Sequence, residues 1–144
     1  MAENKTEEQI NPAYDDTQSI VDALLGRRIV KLEKPPVSAY SMGEAQILLD
    51  DGTVLLLEGH DGGCSCSAGC YSLEYLASLG DVDNIITDVE FYNDPASDYT
   101  GGDGNYSIFV FADNKKINLA TFEGSDGNGY YGTGYYVTVR KPRY

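Results

Sequence analysis

Gln46-Ile47-Leu48-Leu49-Asp50-Asp51-Gly52-Thr53-Val54-Leu55-Leu56-Leu57-Glu58 is two apolar runs joined at Asp51-Gly52. Asp-Gly between such runs is a strong hairpin signal, because both central positions of a tight turn favour φ above zero. The stretch therefore predicts strands over 46–50 and 53–58, and it sets the expectation for the rest of the chain. Upstream, residues 28–33 (Arg-Ile-Val-Lys-Leu-Glu) alternate after Ile29 and read as a strand that Pro35-Pro36 ends. Downstream, 85–91, 106–112, 117–123 and 135–139 read as strands, with a turn at Asp113-Asn114-Lys115-Lys116. In the last strand Val137 and Val139 share one face, Tyr136 and Thr138 the other.

Helical patterning is sparse. Ile20, Val21, Leu24 and Leu25 recur at helical spacing, Thr17 or Ser19 is placed to cap, and Gly26 to stop. Leu73, Leu76 and Leu79 recur every three residues, which favours a second short helix over 71–79; Tyr71-Leu73-Tyr75 would also suit a strand. Short connections between successive strands imply antiparallel pairing. The expected class is α+β: a mainly antiparallel twisted sheet or partly open barrel with one or two short helices. At 144 residues the chain is the size of one domain. The expected division is a flexible N-terminal tail at 1–16, a single domain at 17–140 and a short C-terminal tail at 141–144.

Composition agrees with β-structure. There are 12 Tyr, 16 Gly and no Trp. The net charge is −13, and it is unevenly placed. Between Lys34 and Lys115 there is no Lys or Arg, and fourteen acids. Such a field argues against direct binding to nucleic acid, which needs basic groups against phosphates, and against an anionic membrane surface. It suits a basic protein partner, and it also serves solubility. Met1 to Gln9 is polar and charged, unlike a signal peptide. No apolar run has the length of a membrane helix. A cytosolic location is expected, where thiols stay reduced.

His60, Cys64, Cys66 and Cys70 place four soft-metal ligands within eleven residues of a Gly/Ser-rich loop. Zinc takes four such ligands. Against a zinc site, structural zinc ligands usually come as two separated pairs, and here there is one cluster spaced Cys-x-Cys. The other readings are a disulfide from Cys64 or Cys66 to Cys70, a Cys64 or Cys66 nucleophile activated by His60, and small residues packed in a tight turn. The surrounding negative charge raises a thiol pKa and disfavours the nucleophile. The tight turn is favoured, so no cofactor is expected, with zinc as the alternative.

Residues 124–136 hold five Gly and four Tyr. Tyr130, Tyr131 and Tyr135, with Asp126 and Asn128, are the candidate interaction surface, since tyrosine gives rigid contact area at low entropy cost. The competing reading is a turn and bulge region whose tyrosines cover the core edge. No phosphate-binding loop, dinucleotide fingerprint, EF-hand or Ser-His-Asp order is present, so an enzyme is not expected. Strand 135–139, if it lay at an exposed edge, would pair two copies into a homodimer.

Four segments resemble a domain of unknown function associated with actinobacteriophages and their hosts. They are Leu49-Asp50-Asp51-Gly52-Thr53, Gly63-Cys64-Ser65-Cys66-Ser67-Ala68-Gly69, Asn84-Ile85-Ile86-Thr87-Asp88-Val89-Glu90, and the run from Asp126 to Tyr135. The resemblance spans roughly 24 to 140. It implies a phage origin rather than an activity; together with the −13 charge and the lack of catalytic motifs, it sets the expectation of a phage accessory protein that binds a host or phage protein in the host cytoplasm. It carries over no catalytic residue. The family pattern has an acid where Cys70 stands, which weakens the zinc reading.

Overall fold

The computed structural model describes residues 7–34, 45–59, 68–82, 84–94, 104–127 and 134–142. Among them run β1 (Glu7–Ile10), α1 (Gln18–Leu24), β2 (Ile29–Glu33), β3 (Ala45–Leu49), β4 (Val54–Gly59), β5 (Ala68–Leu76), α2 (Leu79–Val82), β6 (Ile86–Asp94), β7 (Gly104–Ala112), β8 (Lys115–Gly127) and β9 (Tyr135–Arg140). The strands form two sheets, ordered β1-β9-β4-β3-β2 and β5-β8-β7-β6, and every pairing is antiparallel. The antiparallel class with few short helices stands. The arrangement is two sheets around a shared core rather than one sheet or a barrel.

The Asp-Gly hairpin forms, with a different turn from the one expected. The Gly52 N–H donates to the Leu49 carbonyl (3.0 Å) and the Leu49 N–H to the Thr53 carbonyl (2.9 Å). Only Gly52 has positive φ, at 91°. This is the pattern of a type I turn followed by a left-handed bulge residue, a three-residue loop. Asp51 Oδ1 accepts the Thr53 N–H at 3.0 Å and holds the turn. The two-residue mirror turn occurs instead between β7 and β8, where Asp113 (φ 52°) and Asn114 (φ 60°) are both left-handed.

Residues 71–79 correct the sequence reading. Residues 71–76 belong to β5, paired with β8. Leu73 faces Phe122 and Leu76 faces Ala120, with a bulge between Leu73 and Tyr75. The inserted residue turns a spacing of two into a spacing of three, so both leucines reach the core side and imitate a helical period. Only the short α2 follows, burying Val82.

The N-terminal tail is also corrected in part. Glu7–Ile10 forms β1, the edge strand beside β9, and Ile10 is buried. β9 lies between β1 and β4, so both its edges are paired. Strand 135–139 is therefore not the exposed edge that the expected pairing of two copies would use.

The core draws Ile47, Leu55, Leu57, Val137 and Val139 from the first sheet and Tyr106, Ile108, Val110 and Phe122 from the second. Tyr135 joins the layers. Its ring stacks on Phe122 (centroids 4.5 Å, 15° between planes) and tilts against Tyr106 (5.8 Å), which meets Tyr71 edge-on (5.0 Å). Offset and edge-to-face rings are the favoured aromatic geometries. α1 buries Ile20 and Leu24 and lies against β6 and β9. Past its end, the Gly26 N–H donates to the Ile86 carbonyl and the Ile86 N–H to the Arg27 carbonyl, each at 2.9 Å. β4 ends at Gly59 against the backbone of β5 in the other layer, where a Cβ would fall inside the Tyr71 carbonyl. Glycine is needed there for close backbone approach.

Candidate functional site: the outer face of the second sheet

β7 is apolar on both parities. Tyr106, Ile108 and Val110 point into the core. Ser107, Phe109 and Phe111 alternate with them and take the opposite face; Phe109 and Phe111 remain partly exposed and are not part of the core. Register places their neighbours. Asp88 lies opposite Phe111, Glu90 opposite Phe109, Tyr92 opposite Ser107 and Asp94 opposite Asn105 on β6. On β8, Lys116 lies opposite Phe111, Asn118 opposite Phe109, Thr121 opposite Ser107 and Glu123 opposite Asn105. Tyr75 and Ser72 of β5 follow, opposite Thr121 and Glu123.

The result is an open face with a half-buried aromatic centre and an acidic margin. Tyr92 is 49% and Tyr75 44% exposed. At these positions four carboxylates (Asp88, Glu90, Asp94, Glu123) meet one cation, Lys116. The Lys116 Nζ lies 4.5 Å from the Phe109 ring centroid and 3.2 Å from Glu90 Oε2. It reaches diagonally from its own row, as long side chains on a sheet can. An ammonium between a ring face and a carboxylate gains from both. The polar stripe beside it is ordered: Ser107 Oγ and Thr121 Oγ1 share a bond of 2.8 Å, and Asn118 Nδ2 donates to Thr121 Oγ1 at 2.8 Å. Asn118 Oδ1 is buried without a partner among the described residues. Asn118 borders an open groove of about 590 Å³ that Asp81, Asn84 and Asp113 also line.

Of the residues singled out by sequence, His60, Cys64, Cys66, Asn128, Tyr130 and Tyr131 lie outside the described residues. Cys70 is on β5 with its backbone opposite Ser125, and Asp126 is on β8. Tyr135 is described, and it is not part of a surface. It is 0% exposed, because β9 is an interior strand and its first residue turns inward between the layers. Burial, then the neighbouring Tyr106, push its phenol pKa up from the ordinary 10.0. The anchors of the two singled-out segments do converge: Gly59 pairs with Tyr135, and Ala68 with Gly127. Among the described residues no group of three or more His, Cys, Asp or Glu is placed to hold a metal ion, and no helix is long and apolar enough to cross a membrane.

The sheet face was missed by sequence reasoning, although a signal was present. A strand apolar on both parities, Ile108-Phe109-Val110-Phe111, is either buried on both faces or presents one to a partner.

A family model described as a domain of unknown function (DUF7448) matches residues 22–137. The match runs from within α1 into β9 and leaves out β1. No curated protein and no solved structure matches the chain.

Proposed function

The chain belongs to the DUF7448 family of unknown function, and from that premise we propose that it is a binding protein rather than an enzyme, engaging a basic protein through the outer face of its second sheet. The observation that carries this reading is the seat of Lys116: an ammonium over Phe109 and against Glu90, on a face otherwise negative. Tyr92 beside Asp94, and Tyr75 beside Glu123 and Glu74, offer the same pairing of ring and carboxylate within one or two sheet positions. The −13 net charge would speed association with a basic partner and repel nucleic acid. On the resemblance to a phage-associated family, the proposed partner is a host or phage protein.

The test is fluorescence anisotropy of a labelled arginine-rich peptide at low salt. The pair Glu90→Gln and Asp94→Asn should weaken binding roughly fivefold, as the loss of two exposed charge contacts. Glu8→Gln with Glu58→Gln removes the same charge from exposed positions of the first sheet and should change it little. Equal loss in both pairs would reduce the binding to overall charge and defeat the proposal.

A further inference from the structure

Resting on that reading, we infer that Lys116 is an internal stand-in for the partner's basic side chain, occupying the Phe109–Glu90 seat until the partner displaces it. The seat is built from three strands: Glu90 on β6, Phe109 directly opposite on β7, and Asn118 on β8 completing the row. Lys116 is not of that row. It belongs to the row of Phe111 and Asp88 and leans across to fill the seat. Both members of its ion pair are about half exposed, 46% for Lys116 and 50% for Glu90. Water competes at such an exposed pair, so exchange for an incoming guanidinium is cheap. Arginine is the favoured occupant, since its planar group stacks on a ring while its N–H fork meets a carboxylate. The occupant is thus an extended basic segment of a protein, with arginine at the Phe109 seat and further basic residues towards Asp94 and Glu123.

Removing a surface lysine should therefore tighten binding. Lys116→Met frees the seat. Lys115→Met makes the same change in net charge one residue away, at an exposed position outside the face. In titrations of the full-length protein with an arginine-rich peptide, Lys116→Met should bind roughly fivefold tighter than wild type, since one cation–π contact and one ion pair no longer compete. Lys115→Met should gain less than about twofold from charge alone. Phe109→Leu should lose affinity, and Lys116→Met should then gain clearly less than it does in the wild type, because only the Glu90 ion pair still competes. Equal gains from the two lysine variants would overturn the stand-in and leave the binding face intact. No peptide binding by any variant would overturn the face itself. Preference for a single-stranded oligonucleotide of equal length, or self-association of Lys116→Met in place of peptide binding, would overturn the choice of occupant.

Discussion

Replacing Tyr135 by phenylalanine should stabilise this protein, although it deletes a polar group from the middle of the fold. Tyr135 is 0% exposed, and its hydroxyl has no partner among the described residues. A buried, unpaired hydroxyl costs about 1–3 kcal/mol. The phenylalanine ring keeps its stack on Phe122 at 4.5 Å and its contact with Tyr106 at 5.8 Å. The loss is one atom's dispersion contacts, each about 0.1–0.2 kcal/mol. The net expectation is a gain of about 1 kcal/mol, or a rise in Tm of about 4 °C for a domain this size. High pH sharpens the test. A phenol whose pKa is raised on folding stabilises fully below the unfolded value of 10.0, and that contribution is lost as pH climbs towards the higher folded value. From pH 9 to 11 the tyrosine protein should lose about 1.4 kcal/mol at this residue, and the phenylalanine protein none. Urea unfolding at both pH values measures the difference. A variant less stable by about 1 kcal/mol or more would refute the reasoning by showing that the hydroxyl is bonded, and no divergence at pH 11 would refute it by showing that the phenol ionises as readily in the folded chain as in the unfolded one.

Gly59→Ala should be severely destabilising, by about 3 kcal/mol or more, because its Cβ meets Tyr71 backbone that cannot swing away. Gly80→Ala, where a Cβ meets nothing within 4 Å, should gain up to about 1 kcal/mol within α2; thermal unfolding of the two separates them. At the β7–β8 turn, Asp113→Val should cost about 1–2 kcal/mol, since a branched side chain resists φ of 52°, while Asn114→Gly should be neutral or slightly stabilising. Chemical denaturation measures both. Peptide binding by the wild-type protein should fall steeply between low and physiological salt, because the seats are exposed; salt-independent affinity would point to an apolar docking mode.

Much of the fold was legible because strand patterning and turn chemistry are local. Asp51-Gly52 declared its hairpin, and the apolar-polar pattern of Ile117–Glu123 declared β8 despite the step at Leu119-Ala120, where both residues are buried at a register shift. What the local pattern hides is an inserted residue. The bulge after Leu73 converted a strand's period into a helix's, and only the pairing with Phe122 and Ala120 reveals it. Sequence also could not show that β9 is interior. Its partners, Glu7–Ile10 and Val54–Gly59, are remote in the chain, and the order of strands in a sheet is a non-local property. The same non-locality explains the tyrosines. Tyr135 looked like part of a recognition loop and is a core residue, whereas Tyr75, in the segment favoured as a helix, and Tyr92, just past the expected strand 85–91, were not singled out and are exposed beside the candidate face. That face assembles from β5, β6, β7 and β8, so no single segment carries its signature.

The most direct measurement is amide chemical-shift mapping of the 15N-labelled protein during titration with an arginine-rich peptide. The shifts should concentrate on residues 88–94, 105–111 and 116–123, with Phe109, Glu90 and Lys116 among the largest. Shifts spread evenly over every acidic edge, or centred on residues 60–67 and 128–133, would contradict the sheet face as the binding surface.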